Sequence, residues 1–478
     1  DFEQQSAATP TYFMAPDGIF SPLTYFSKFF DNLIADQTNL YSCQLIGGSI
    51  NTNISEIKAF IGIKLFMGVV KMPTMEDYRA SDTIYDKIAD VMPIKRFKCL
   101  SRMLHFQNNL VPESREDRLV KIRPVIDQMR KKCSQIESEN QFSIDEMMAP
   151  YKGRKAGSLR QYLPAKHKKL GFKIFVRAGV SGFVYDFFVY TGKPTIDGAT
   201  QIPLKELGLG DNVVLHLCKT IRNPPDCVVY FDNFFTSLSL LTYLKDSMGL
   251  RSLGTIRKNR LMGCKLEDDR ELLKRGRGSF DYRVDNDAQL AIVKWADSKT
   301  VTLVSTCASV MPVGEVKHFS KKKGRQISVP CPQIVAEYNH HMGDVDLADI
   351  RIALYRTPAK SHRWYLCIFW QLIDIAVNNA WLLYWHDAKA IGPVKLKKLK
   401  AFSLDVAKGL IYPEKQKRSR PSLGNESDAP DGNSHYPILS VKGRCRTQTS
   451  IMCEKCNVRL CIGTGQNTRN CFRSFHLR

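Results

Sequence analysis

Four aspartates stand where carboxylates are costly. Asp145 lies in the strand-like run Gln141-Phe-Ser-Ile-Asp145-Glu, and Asp232 directly follows the continuous apolar run Cys227-Val-Val-Tyr-Phe231. Asp346 and Asp349 lie in Met342-Gly-Asp-Val-Asp-Leu-Ala-Asp349, at the start of a long helical stretch. A carboxylate in or beside an apolar strand loses hydration unless a cation or a donor meets it. Three such groups converging suit hard divalent cations, which prefer oxygen ligands and bridge phosphate oxygens; that arrangement supports attack on a phosphodiester. Asp346 and Asp349 are three residues apart and share a helix face. Each also has a purely structural reading, with Asp232 capping the helix that follows and Asp346 and Asp349 complementing a helix dipole.

A second chemistry-bearing group closes the chain as Cys445-x7-Cys453-x2-Cys456-x4-Cys461-x9-Cys471-x4-His476, with His435 upstream. Thiolates and imidazoles at such spacings fit tetrahedral Zn²⁺, and a segment this short needs a staple to fold. A disulfide framework is the alternative. Seven candidate ligands fall short of the eight that two closed sites require, so one zinc ion is expected. The other cysteines are scattered without regular spacing and read as reduced, buried thiols.

The chain that must position these groups has 478 residues, with 70 Lys+Arg against 47 Asp+Glu and a formal net charge of +23. A field of that sign attracts polyanions, which makes nucleic acid the leading partner class. An apolar fraction of 44% with 10% aromatics rules out disorder throughout, and the length predicts at least two folded units. The most apolar stretches, Ile57–Val70 and Cys367–Trp385, carry lysines, or Gln371, Asp374, Asn378 and Asn379, and read as buried helices, with no membrane partner expected.

Helical spacing dominates from Phe20 to about Asn140, with starts at Ser21 before Pro22, at Asn53-Ile-Ser55-Glu56 and at Pro93. Near Phe142 the period shortens. A strand with Asp145, a hairpin over Phe172 to Thr191 turning at Ser181-Gly182, a helix near Gly210 to Thr220, the run ending at Phe231, a helix over Thr236 to Lys245 and a strand over Arg251 to Ile256 follow. That order predicts a mixed sheet with helices on its faces. Basic, strand-rich material from Leu261 to Pro332 reads as an insertion, helical periodicity returns from Ile334 to His386, and a basic, linker-like stretch leads to the cysteines.

Ser143-Ile-Asp145-Glu-Met-Met-Ala-Pro-Tyr-Lys-Gly-Arg154, Tyr162-Leu-Pro-Ala-Lys-His-Lys-Lys-Leu-Gly-Phe-Lys173, Phe231-Asp-Asn-Phe-Phe-Thr-Ser237 and Gly343-Asp-Val-Asp-Leu-Ala-Asp349 closely resemble the blocks of piggyBac transposases and of piggyBac transposable element-derived proteins. The resemblance continues through Trp295-Ala-Asp297, Ser361-His-Arg-Trp364 and Asn378-Asn-Ala-Trp-Leu-Leu-Tyr384, spanning roughly Phe20 to His476. It implies an α+β multidomain protein: a helical dimerisation and DNA-binding domain over 1–140, an RNase H-like core over 141–260 and 334–388, and an insertion domain over 261–333. A basic linker over 389–434 and a zinc-binding domain over 435–478 complete the implied layout. It makes Asp145, Asp232 and Asp346 the catalytic, Mg²⁺-binding triad and Asp349 the fourth acidic residue, for cleavage and transfer of DNA strands at TTAA sites.

The resemblance also places Trp364 near the cleaved end, and a homodimer among the partners. Two positions depart from the family pattern: Asp344 replaces a glycine beside the third aspartate, and His167 replaces a proline. These departures, with Cys445 alone remaining of a further CxxC pair in the family's terminal pattern, support the alternative of a domesticated transposase that binds DNA or chromatin proteins without transposing. Lys152, Arg154, Lys155, Arg160, Lys166, Lys168, Lys169 and Lys173, interleaved with aromatic residues, are candidate DNA contacts. Lys317, Lys321, Lys322, Lys323 and Arg325 in the insertion are further ones, and Lys415-Gln-Lys-Arg-Ser-Arg420 reads as a nuclear localisation signal.

Overall fold

The computed structural model describes residues 20–29, 34–110, 117–136, 139–164, 166, 168–192, 207–320, 324–391, 395–412, 437–439 and 451–453. The chain divides into two units, 1–413 and 414–478.

The first unit opens with helices α1 (Pro22–Ser27), α2 (Ile34–Ile46), α3 (Ile54–Val69), α4 (Asp86–Ala89), α5 (Ile94–Met103) and α6 (Arg123–Ser134). Their starts follow capping chemistry. Ser21 Oγ accepts from the Thr24 N–H at 3.3 Å and Asn53 Oδ1 accepts from the Glu56 N–H at 2.9 Å. In α5 only Phe97, Leu100 and Met103 are buried, the stripe of a surface helix. Nearly every residue of α3 from Ile57 to Gly68 is buried, as an all-round apolar helix must be. Its Lys64 is no exception: the ammonium donates to the Pro358 carbonyl and lies 5.0 Å from the Trp370 ring centroid, and burial pulls its pKa down to about 8.

The sheet begins with β1 (Gln141–Pro150), β2 (Gln161–Tyr162), β3 (Leu170–Gly179) and β4 (Val184–Val189). The expected hairpin forms from β3 and β4, with Gly182 at φ +80° in the turn, where a Cβ would meet Arg351 at 2.8 Å. Both strands are buried along nearly their whole length, because both faces of the sheet are covered. Helix α7 (Leu209–Cys218), β5 (Val228–Phe231), α8 (Leu238–Met248) and β6 (Arg251–Thr255) follow. Strand β1 runs antiparallel to β3 and parallel to β5, and β5 runs parallel to β6.

Residues expected as an insertion supply α9 (Asp269–Lys274), β7 (Phe280–Asp285), β8 (Leu290–Ala296) and β9 (Thr300–Ser305), and then the hairpin β10 (Gly314–Ser320) and β11 (Arg325–Cys331). Strand β9 pairs with β6, so β7 to β9 continue the main sheet, whose order is β2-β3-β1-β5-β6-β9-β8-β7 with β4 also on β3. The returning helices are α10 (Gln333–His341), α11 (Asp344–Leu354) and α12 (Trp364–Ile391). By length and composition α12 is apolar enough to cross a membrane, but 89% of its apolar window is buried inside the protein.

The stretch read as the start of a basic linker contains α13 (Leu399–Ile411), which packs on α3 and α1. Phe402, Val406 and Leu410 recur every four residues on its buried side, and the neighbouring lysines obscured this pattern. The contact with α3 is close: a Cβ on Gly62 would meet the Ala407 carbonyl oxygen at 2.7 Å and Ile411 Cγ1 at 2.8 Å. Gly62→Ala is therefore expected to destabilise the protein by about 1–3 kcal/mol despite the higher helix propensity of alanine. Urea denaturation checks this against Gly48→Ala, whose Cβ would meet nothing within 4 Å.

Candidate active site

The sheet register brings the first two aspartates together. In the parallel pairing of β1 with β5, Ile144 faces Phe231, so Asp145 is the next residue on β1 and Asp232 the first residue past the end of β5. Adjacent strands lie roughly 4.8 Å apart. Helix α11 packs on β1, with Val345, Ala348 and Ile352 buried and the Val345 N–H donating to Ser143 Oγ at 3.3 Å. This seat places Asp346, in the first turn of α11, over the same strand.

One cation joins the group. Lys166 Nζ lies 3.0 Å from Asp145 Oδ2 and 3.2 Å from Asp346 Oδ1. Burial pushes the Asp145 carboxyl up to about 6, against the pull of Lys166. Burial also disfavours the Lys166 ammonium, but Asp145 and Asp346 outweigh it and hold that group above the usual lysine range. The two directions describe one ion pair, charged on both sides at neutral pH. Asp232 is raised by burial and then by the charge of Asp145, while the Phe234 N–H, Arg257 and Lys166 pull it down. Asp349 is raised by burial and held by Arg356, 3.1 Å away, which also binds Gln371. The fourth aspartate thus shares the field of Asp346 and Lys166 while its own bond goes to the arginine.

The structural reading of Asp232 gives way to a different geometry. Ser237 caps α8, its Oγ accepting from the Leu240 N–H at 3.1 Å. Asp232 Oδ1 instead accepts from the Phe234 N–H at 2.8 Å, within the loop that carries it. Asp344 is buried, its Oδ2 lacks a hydrogen-bond partner among the described residues, and burial lifts its carboxyl to about 7. Burial therefore favours the neutral form of this carboxyl beside the third aspartate. Among the described residues no three His, Cys, Asp or Glu side chains are already closed around one point. The donor set nonetheless fits a hard divalent cation: it is all oxygen, and two of its three members, Asp145 and Asp346, already share the Lys166 ammonium.

The expected DNA contacts divide. Lys152, Arg154, Lys155, Lys168 and Lys169 are exposed, whereas Arg160 donates to the Gly153 carbonyl at 2.9 Å. Lys173 is buried, 3.5 Å from Glu146 and over the rings of Phe175 and Phe234. Trp364 opens α12, half-buried between Phe172 and Tyr365. Lys317 and Arg325 are exposed on the β10–β11 hairpin. Lys321, Lys322, Lys323, His167 and the basic run 415–420 lie outside the described residues. So do His435, Cys445, Cys456, Cys461, Cys471 and His476; only the backbone of Cys453 is described, in β13 (Ile451–Cys453) paired with β12 (Pro437–Leu439). The described cysteines from Cys43 to Cys367 are free thiols.

Arg257 and Arg260 escaped the sequence reading. They follow β6, whose C-terminal end lies beside that of β5, where ligands of parallel sheets gather. Arg257 Nε donates to Asn233 Oδ1 at 3.0 Å, and Arg260 Nη1 donates to the carbonyls of Phe234 at 3.2 Å and Thr236 at 2.7 Å. The signal available was their place just after a strand parallel to the one ending at Asp232.

A family model described as Transposase IS4 matches residues 21–381. PiggyBac transposable element-derived protein 3 of Homo sapiens is 30% identical over 438 residues, which is 90% of this chain and 72% of that protein. The chain belongs to the piggyBac transposase family. The human piggyBac transposable element-derived protein 2 is 29% identical over 399 residues, and the chain spans 65% of it. A solved piggyBac transposase synaptic complex with hairpin DNA has the same fold, with TM-score 0.67 and 24% identity over 93% of this chain and 97% of that one. In this piggyBac-family chain Arg260 acts as a latch on the Asp232 loop. Arg260→Ala is expected to cost about 1–3 kcal/mol in urea denaturation, and Arg257→Ala, exposed with one bond, less than about 0.5 kcal/mol.

Proposed function

We propose that this chain binds DNA and cuts its strands, with Asp145, Asp232 and Asp346 holding Mg²⁺ or Mn²⁺ and Asp349 in support. The observation that carries the reading is the register of β1 and β5, which sets Asp145 beside Asp232 while one ammonium links Asp145 to Asp346. We read the sheet as an RNase H-like core; its support is the antiparallel meander of β1, β3 and β4 followed by parallel β5 and β6. When bound, the divalent ions supply charge stabilisation for phosphate oxygens during the displacement. The chain's own residues do the rest of the work. Burial keeps the Asp145 and Asp232 carboxylates poorly hydrated and ready to take a cation, Asp346 meets it from the exposed first turn of α11, and Arg260 fixes the backbone that carries Asp232. Exposed Lys152, Arg154, Lys155, Lys168 and Lys169 give the phosphate backbone its counter-charge.

The family likeness extends the proposal to strand joining at TTAA sites, to action as a homodimer and to a nuclear location, with Zn²⁺ held by the terminal cysteines and histidines. Cleavage of duplex DNA with TTAA-flanked ends, in Mg²⁺ or Mn²⁺, is expected to fall at least about 10³-fold in Asp232→Ala while salt-sensitive binding remains. Binding without cleavage in both proteins would favour the domesticated reading, and salt-independent or absent binding would defeat the proposal.

The pH dependence has a definite sign. A carboxyl raised to about 6 is ionised above that pH and protonated below it. Mn²⁺-supported cleavage is therefore expected to fall as pH drops through about 6, roughly tenfold per unit; an unperturbed aspartate would shift that loss to about 4.

A further inference from the structure

The loop between β2 and β3 carries a residue with an unassigned task. Leu163 N–H donates to the Lys169 carbonyl at 2.7 Å, closing a hairpin whose tip holds Lys166. The Lys166 side chain reaches into the site and is only 19% exposed, while Lys168 and Lys169 on the same tip remain in solvent. It lies 3.0 Å from Asp145 Oδ2 and 3.2 Å from Asp346 Oδ1, and among the described residues no other basic side chain is paired with either carboxylate.

We propose that Lys166 is a built-in counter-cation of the aspartate triad, seated between Asp145 and Asp346, and that a divalent metal must displace it to bind. This rests on the metal-site reading above. Asp145 is 15% exposed, and a carboxylate so placed stays ionised more readily with a cation beside it. An ammonium and a metal ion cannot both occupy the same pair of oxygens. In this exchange only the Lys166 side chain moves, and Lys166 belongs to none of β1, β5 and α11.

The test is Mn²⁺ titration by calorimetry on the full chain, comparing wild type with Lys166→Met, Lys166→Arg and, as a surface-charge control, the exposed Lys87→Met. Lys166→Met is expected to bind Mn²⁺ roughly three- to tenfold more tightly than wild type, with Lys166→Arg and Lys87→Met close to wild type. Without metal, Lys166→Met should melt at lower temperature and recover on adding Mn²⁺. A second readout needs no variant: labelling of Lys166 by an amine-reactive reagent, followed by mass spectrometry, should increase when Mn²⁺ is added to wild type. Equal or weaker Mn²⁺ binding by Lys166→Met, or metal-insensitive labelling, overturns the counter-cation role while Asp232-dependent Mn²⁺ binding by wild type upholds the metal site. Mn²⁺ binding by neither wild type nor Lys166→Met overturns both.

Discussion

The parallel pairing of Ile144 with Phe231 sets one carboxylate on β1 beside another at the exit of β5, and the rest of the site answers the repulsion that this creates. Strand register has a period of two, so a slip of one residue would turn Asp145 away from Asp232 and drive Ile144 out of the core. The apolar residues around the pair make the register unambiguous: Phe142, Ile144, Val229 and Phe231 are each fully buried. The same burial raises both carboxyl groups and makes a cation necessary.

The elements around the sheet turn that local demand into a rigid site. Helix α11 is seated on β1 by Val345, Ala348 and Ile352, and its first turn delivers Asp346 to the cation that already holds Asp145. Arg356, just beyond α11, ties Asp349 to Gln371 on α12. Deeper on α12, Asp374 accepts from Thr357 and shares the field of Arg356 and Lys64, which connects the site to α3 of the helical region. These polar groups form a path from Asp349 into the core.

Much of this was legible in the residues. Ser21 and Asn53 announced helix starts, and the apolar run before Asp232 announced a covered strand; each depends only on near neighbours. The distinctive strings around Asp145, Asp232 and Asp346 carried the family. What escaped depended on distant chain segments. Lys166 read as one of many basic residues, because its pairing with Asp346 joins positions 180 apart in sequence. Lys173 looked like its neighbours, yet it reaches Glu146 diagonally across the pairing of β1 with β3. Helix α13 was hidden by its lysines, and Arg260 by the need to know that β6 lies parallel to β5.

The central claim is that the three aspartates form one cation site. Anomalous diffraction from a crystal of the full chain grown with Mn²⁺ tests it most directly. The account predicts a peak within bonding distance of Asp145 and Asp346, with Asp232 facing it and the Lys166 ammonium moved aside. Mn²⁺ bound elsewhere, with Lys166 still bridging Asp145 and Asp346, would contradict it.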